Sequence, residues 1–358
     1  MRRVLTSCAA LALTAGTAAA GGVERSSQSV AILFEQGSYA ELSFGRVSPS
    51  VSGNLAPAPA VRSGDMAPGY NTFSLGYKTD LTDQISAALI LDQPIGADVA
   101  YPAGTGYPAA GSTASIDAMA VTGIVRYRFP SNFSVYAGLR AQSASGEVAL
   151  QPSGYTMSTS TETDYGWLAG VAYEKPEIAL RVALTYNSAI DHTFTVTENG
   201  GPSLPFTTTV PQSWNLEFQT GIMADTLLFG SVRYVDWTAF DITPAGYLLA
   251  TGTSLVSYDD DTTTYTLGVG RRFNDTWSGS ISFSHEAGTG PFSGNLGPTD
   301  GFTSAQVAAV YTVGNMKITG GLRYIDIGEA QTRLGPGVTT NFSGNHGWAA
   351  GLRIGYSF

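Results

Sequence analysis

Apolar and polar positions alternate with a period of two along most of this 358-residue chain. Phe133, Val135, Ala137 and Leu139 share one parity; Tyr136, Arg140 and Gln142 take the other. Ile178, Leu180, Val182, Leu184 and Tyr186 stand against Arg181, Thr185 and Asn187. Trp214, Leu216, Phe218 and Ile222 stand against Ser213, Asn215, Glu217 and Gln219. Met316, Ile318, Leu322 and Tyr324 stand against Lys317, Thr319 and Arg323. Successive side chains of a strand point to opposite faces, so each segment has an apolar face and a polar one. The pattern predicts about fourteen strands, at 39–51, 71–78, 84–91, 115–129, 133–144, 165–173, 178–186, 212–223, 227–237, 262–273, 276–285, 302–313, 316–327 and 344–358. Helical periodicity is nearly missing.

The connections alternate in length. Short turns at 80–83, 130–132, 174–177, 224–225, 274–275 and 314–315 carry Asn, Asp, Ser, Pro or Gly. Long connections at 52–70, 92–114, 145–164, 187–211, 238–261, 286–301 and 328–343 lie between them. A soluble sandwich has no need of such a rhythm. A transmembrane antiparallel β-barrel has short periplasmic turns, long extracellular loops and an even strand number. The prediction is therefore all-β, a barrel of about fourteen strands in the outer membrane of a Gram-negative bacterium, with both termini periplasmic. Apolar faces meet lipid and polar faces meet the lumen. Trp167, Trp214, Trp237, Trp277 and Trp348 are expected in the interfacial girdles. The last strand alternates Trp348, Ala350, Leu352, Ile354, Tyr356 and Phe358 with small or charged residues and ends the chain on an aromatic. It resembles the strand by which outer-membrane barrels address their assembly machinery, and it is expected to pair with the first strand near Leu42 and Phe44.

Composition agrees. Charged residues make up only 13%, with 43 Gly, 18 Tyr and 16 Phe. The net charge of −10 argues against nucleic-acid binding. Arg2, Arg3, the apolar run that follows and Ala18-Ala19-Ala20 read as a secretory signal peptide over 1–20. The one cysteine, Cys8, lies within it, so the mature chain is expected to have no disulfide and no thiol chemistry. The barrel is assigned to 39–358. Residues 21–38 remain as an N-terminal hatch, because Val30, Ile32, Leu33 and Phe34 are too apolar to be left in water.

Tyr39 to Gly53, with its Pro49-Ser50-Val51 and Ser52-Gly53 elements, resembles the first barrel strand of the FadL-type long-chain fatty acid transporters. The resemblance recurs at 116–142, with the turn Pro130-Ser131-Asn132, and in the runs 166–173 and 179–188. Val210-Pro211-Gln212-Ser213-Trp214 is similar to the family's entry to a strand, and Trp237-Thr238-Ala239-Phe240 to its exit. An Asn-Pro-Ala element between hatch and first strand is missing, and the hatch is short. The resemblance implies passive uptake of hydrophobic molecules, foremost long-chain fatty acids, through an extracellular groove, a lumen pocket and a hatch-controlled, laterally directed exit. Aromatic hydrocarbons are the alternative cargo in the same family; a general porin, a barrel lipase and an adhesin are other readings. Pro94 and Gly96 stand where the family's third strand kinks.

The candidate residues follow. A fatty acid needs an apolar slot with a cation near its end, and Arg140 and Arg181 sit mid-strand among small or neutral lumen neighbours. Ion pairing with barrel carboxylates such as Asp117, Glu217 or Glu41 is the competing role for any lumen arginine. Leu204, Phe206, Leu248, Leu249 and the pair Tyr101/Tyr107 are candidates for an outer groove. Loop-on-loop packing is the competing role for them. His192, His285 and His346 show no metal-ligand spacing. Asp191-His192 and Ser284-His285 are adjacent, so their side chains diverge and form no dyad on a strand. The expectation is a monomer without catalytic residues, metal or cofactor, whose partners are its hydrophobic ligands, outer-membrane lipid and lipopolysaccharide, and the assembly machinery.

Overall fold

A computed structural model describes residues 22–290 and 292–358. The expected signal peptide lies outside the described residues. The barrel strands are β1 (Tyr39–Ser50), β2 (Tyr70–Asp80), β3 (Ile85–Asp92, resuming at Gly96–Ala100), β4 (Thr113–Arg128), β5 (Phe133–Leu150), β6 (Glu162–Lys175) and β7 (Leu180–Asn187). They continue as β8 (Ser213–Met223), β9 (Thr226–Val235), β10 (Thr262–Arg272), β11 (Trp277–Glu286), β12 (Phe302–Val313), β13 (Met316–Ile327) and β14 (Asn345–Ser357). Each pairs antiparallel with its chain neighbour. β14 returns to β1, with Leu42 opposite Ile354 and Phe44 opposite Leu352. Closure leaves no unpaired sheet edge, which is what lets a sheet cross lipid.

The faces divide as a membrane requires. Leu75, Leu89, Val125, Leu139, Val171, Leu267, Phe283, Leu322 and Leu352 lie on the outside. Arg126, Arg140, Gln142, Asn187, Asn215, Arg233 and Arg323 are buried inside. An apolar exterior around a polar interior inverts a soluble protein and defines a membrane-spanning barrel. Trp167, Trp214, Trp277 and Trp348 are exposed on the outer face. Trp237 corrects the expectation: it is 2% exposed and packs on Phe240 and Tyr258. β9 ends at Val235, and Trp237 opens a short 3-10 turn that folds inward. At the short turns Asn132 and Asp225 have φ of 67° and 56°, a left-handed backbone that Asn and Asp tolerate best after Gly.

The long connections hold more structure than expected. Ile190–Glu198 and Gly201–Val210 form an upper hairpin within the long connection expected at 187–211. Ala330–Gly335 and Val338–Phe342 form another, joined by Gly53–Leu55 into a small sheet. Helix α1 (Ala245–Thr251) lies between β9 and β10. No helix among the described residues is long and apolar enough to cross a membrane.

Candidate functional site: a filled lower lumen, a break in the wall and an upper cavity

Residues 22–38 run inside the barrel. Their apolar centre is the turn Ala31–Phe34. Val30 and Leu33 are fully buried, in a cluster with Tyr136, Leu168 and Ala183. The Arg126 and Arg181 guanidinium groups lie over the Phe34 ring, 4.4 and 4.6 Å from its centre. Lumen side chains bind the rest. Arg126 donates to the Leu33 carbonyl at 3.1 Å and pairs with Glu174. Arg140 donates to Gln28, Thr122 and Asn187 at 2.9, 3.0 and 3.2 Å. Ser29 donates to Glu217 at 2.6 Å, and Asn215 to the Ser27 carbonyl at 2.8 Å. Arg233 pairs with Glu24, and Lys317 with Glu35 at 3.4 Å. A charged group in a low-dielectric interior is held only when it is paired and hydrogen-bonded, and these are.

The wall is interrupted at β3. Asp92 faces Ala120 of β4, but Gly96 faces Asp117, so β3 carries one extra residue across Gln93, Pro94 and Ile95. Proline has no N–H for the ladder, and a bulge absorbs the extra residue. The consequence appears on β2. Its residues 75–80 pair with β3, but 70–74 have no ladder partner there. The Phe73 N–H bonds instead to the Gln93 side chain at 3.1 Å. The N-terminal segment is stitched to this break. The Pro94 carbonyl accepts from the N–H groups of Arg25 and Ser26 at 2.9 and 3.3 Å, and Gly96 N–H donates to Val23 at 2.8 Å. Ser26 Oγ donates to Asp92 at 2.5 Å. A Cβ on Gly96 would fall 2.5 Å from Arg25 Nε, so any larger residue there would push the Arg25 side chain aside.

Above the segment lies a cavity of about 540 Å³, floored by Gly22, Val23, Glu24 and Arg25. Its walls carry Met66, Tyr70, Ile95, Ile116, Val148, Met157, Phe194, Phe206, Phe240 and Leu296. That volume lies within the range of small-molecule sites. Six carboxylates border it (Glu24, Asp98, Glu147, Asp259, Asp260 and Asp300) against two guanidinium groups, Arg25 and Arg333. Only the first is ion-paired among the described residues. Arg25 pairs with Asp98 at 2.5 Å and lies over Tyr70; Arg333 lies 3.7 Å from the centre of the Phe292 ring. A smaller cavity of about 170 Å³ lies beside residues 25–29 and is bordered by Phe73, Ile90, Gln93, Arg181 and Glu217. Arg25 borders both cavities.

The predicted residues are therefore dispersed. Arg140 holds Gln28 and does not border the upper cavity; Arg181 borders the lower one beside Phe34. Pro94 and Gly96 form the wall break. Phe206 lines the upper cavity; Leu204, Leu248 and Leu249 point outward from the upper hairpin and α1, Leu249 being 91% exposed. Tyr101 and Tyr107 stack at 5.5 Å under the loops, Tyr101 bonded to the Asn295 carbonyl and Tyr107 to Thr340. Their phenols are pushed up by burial, and they pack loop on loop. His192 turns inward and Asp191 outward, where Asp191 accepts from Thr209; His285 meets Thr303, and Ser284 meets Thr266. Neither adjacent pair makes a dyad. Sequence reasoning missed Arg25, Asp98 and Glu198. Glu198 accepts from Tyr155 at 2.6 Å, from the N–H groups of Gly246 and Tyr247 at 2.8 and 3.0 Å, and from Ser203. It thereby clasps α1 to the upper hairpin.

The class these features define is a membrane-spanning barrel with an internally folded N-terminal segment. No family model and no curated protein matches the sequence. Solved structures match the fold. A Pseudomonas aeruginosa FadL homologue superposes with a TM-score of 0.75 at 14% identity, over 92% of each chain. The toluene transporter TodX of Pseudomonas putida gives 0.63 at 12% identity, over 90% of each chain. The toluene transporter TbuX of Ralstonia pickettii gives 0.61 at 14% identity, over 91% of this chain and 90% of its own. The chain has the FadL-type barrel fold.

Proposed function

We propose that the chain is an outer-membrane channel for small, neutral, hydrophobic molecules, with aromatic hydrocarbons as the best-supported class. The ligand enters the upper cavity beneath the extracellular loops. Residues 22–38 act as a hatch, and the break at Pro94 and Gly96 is the lateral exit. One observation carries the choice of cargo. Six carboxylates border the upper cavity against two guanidinium groups, one of them already paired with Asp98, so a fatty carboxylate would enter against an excess of like charge. Toluene transporters among the structural matches support the same class. The fatty-acid reading keeps one supporting feature, Arg181 beside the lower cavity. Arg140 serves the hatch through Gln28, and Leu204, Leu248 and Leu249 present an apolar outer surface for capture.

The test is uptake by Gram-negative cells lacking their own channels for hydrophobic compounds. Expression of this chain should accelerate entry of labelled toluene and leave oleate entry at background. Accelerated oleate entry with unchanged toluene entry would overturn the assignment of cargo.

A further inference from the structure

Among the polar groups that line the upper cavity, one pair stands between aromatic rings. His192 and Thr208 are ladder partners in the upper hairpin, and both line the cavity. Aromatic rings flank them. Phe194 lies 5.9 Å from the His192 ring in a stacked orientation and 5.7 Å from Phe206.

The polar atoms here are buried and incompletely partnered. Thr208 is 5% exposed, and its Oγ1 has no hydrogen-bond partner among the described residues. Gln142 is fully buried; its Nε2 lies 3.5 Å from His192 Nε2, and its Oε1 has no partner among the described residues. His192 Nδ1 lies 3.0 Å from an Asp164 oxygen. That contact places the ring proton on Nδ1 and leaves Nε2 as an acceptor. The upper hairpin stands beyond the spanning strands, and there burial lowers the pKa of His192, outweighing the opposing pull of Asp164, so the ring is neutral. A buried hydroxyl without a partner is costly, and valine would fill the space of Thr208 without that cost. The arrangement has the form of a half-built hydrogen-bonding site.

We propose that the preferred ligand is an aromatic molecule bearing a hydroxyl group, a phenol. Its ring packs against Phe194 and Phe206. Its hydroxyl donates to His192 Nε2, replacing the long 3.5 Å contact from the Gln142 amide, and accepts from Thr208 Oγ1. A neutral phenol adds two hydrogen bonds without bringing an anion among the carboxylates of the cavity. The inference rests on the hydrophobic-ligand reading of this cavity and narrows it.

The probes are 4-methylphenol and 1,4-dimethylbenzene, which differ by a hydroxyl in place of a methyl. Binding to the purified full-length barrel in detergent is measured by calorimetry. The phenol should bind tighter by about tenfold or more. Thr208→Val should bring the two affinities within about twofold. His192→Phe should do the same, with folding checked by heat-dependent gel mobility. Thr208→Val, nearly equal in volume, decides the matter if His192→Phe fails to fold. Equal affinities in the unmodified protein, or a preference that survives Thr208→Val, would overturn the inference and leave the hydrocarbon channel standing. Failure to bind either probe would overturn the hydrophobic-ligand reading as well.

Discussion

The lower and upper halves of this lumen are built on opposite principles. Below, Arg126, Arg140, Arg233 and Lys317 each meet a hydrogen-bonding or charged partner, and each makes at least one contact with residues 24–35. Above, the floor gives way to a cavity of about 540 Å³ whose aromatic and aliphatic walls come largely from loops and the upper hairpin. The same fourteen-stranded wall surrounds both. The difference teaches that one barrel wall can surround a filled half and an open one. The lower half is closed by matching charge to a short peptide. The upper half is shaped by what the loops leave unfilled.

The strongest way to break that contrast is to remove the peptide. Deletion of 22–36 takes away the turn around Leu33 and the partners of Arg140 and Arg233. The strand ladder is unaffected, so the barrel should still fold. A barrel of this size without a filling has an aqueous lumen. Conductance in planar bilayers should rise by about tenfold or more. An unchanged conductance would mean that residues 22–36 do not seal the channel.

A smaller effect separates the halves by stability. Arg126 is 1% exposed and joins Leu33, Ser134 and Glu174. Arg126→Met leaves the Glu174 carboxylate without its cation and should cost about 3 kcal/mol, read from urea unfolding in lipid vesicles. Leu249→Ala, at a side chain 91% exposed on α1, should change the same measurement by less than about 0.5 kcal/mol. Similar values for the two would erase the distinction between a tightly paired lower half and a loosely held cap.

The sequence showed the wall far better than its contents. Alternation such as Phe133, Val135, Ala137 and Leu139 against Tyr136, Arg140 and Gln142 is a local signal, and it locates the spanning strands to within a few residues and the lipid face of those whose parity is clear. It also ran through Ile190, His192, Phe194 and Val196, which form half of the upper hairpin. There the alternation falls within a long connection, and parity alone does not separate a loop hairpin from a spanning strand. Trp237 was misplaced for the reverse reason: the strand parity was carried past the end of β9. Most of the site left no local trace. Arg25 and Asp98 are 73 residues apart, and Arg233 and Glu24 are 209 apart. Such pairs arise only once the chain's start is folded into its own barrel. The apolar run from Val30 to Phe34 was enough to suggest that it enters, but not which cations receive it.

The smallest predicted effect concerns the cap. Glu198 lies outside the spanning strands. Burial pushes its carboxyl up, but hydrogen bonds from Ser203, Tyr155 and the N–H groups of Gly246 and Tyr247 outweigh burial and hold it below the ordinary carboxylate range. A carboxyl depressed on folding contributes stability that is fully present above its unfolded value and lost as pH falls through its folded value. The clasp between α1 and the upper hairpin should therefore be insensitive to pH between neutrality and the ordinary carboxylate range, and should open only at more acidic pH. Hydrogen-exchange protection of the Gly246 and Tyr247 amides reads this directly. Glu198→Gln removes the charge and keeps the shape, so protection at neutral pH should fall by about fivefold, with the acid transition gone. Protection that already falls between pH 7 and the ordinary carboxylate range would assign the clasp to a group other than Glu198. It would also tie the upper half of the lumen to a titration that the lower half, sealed by its own ion pairs, does not share.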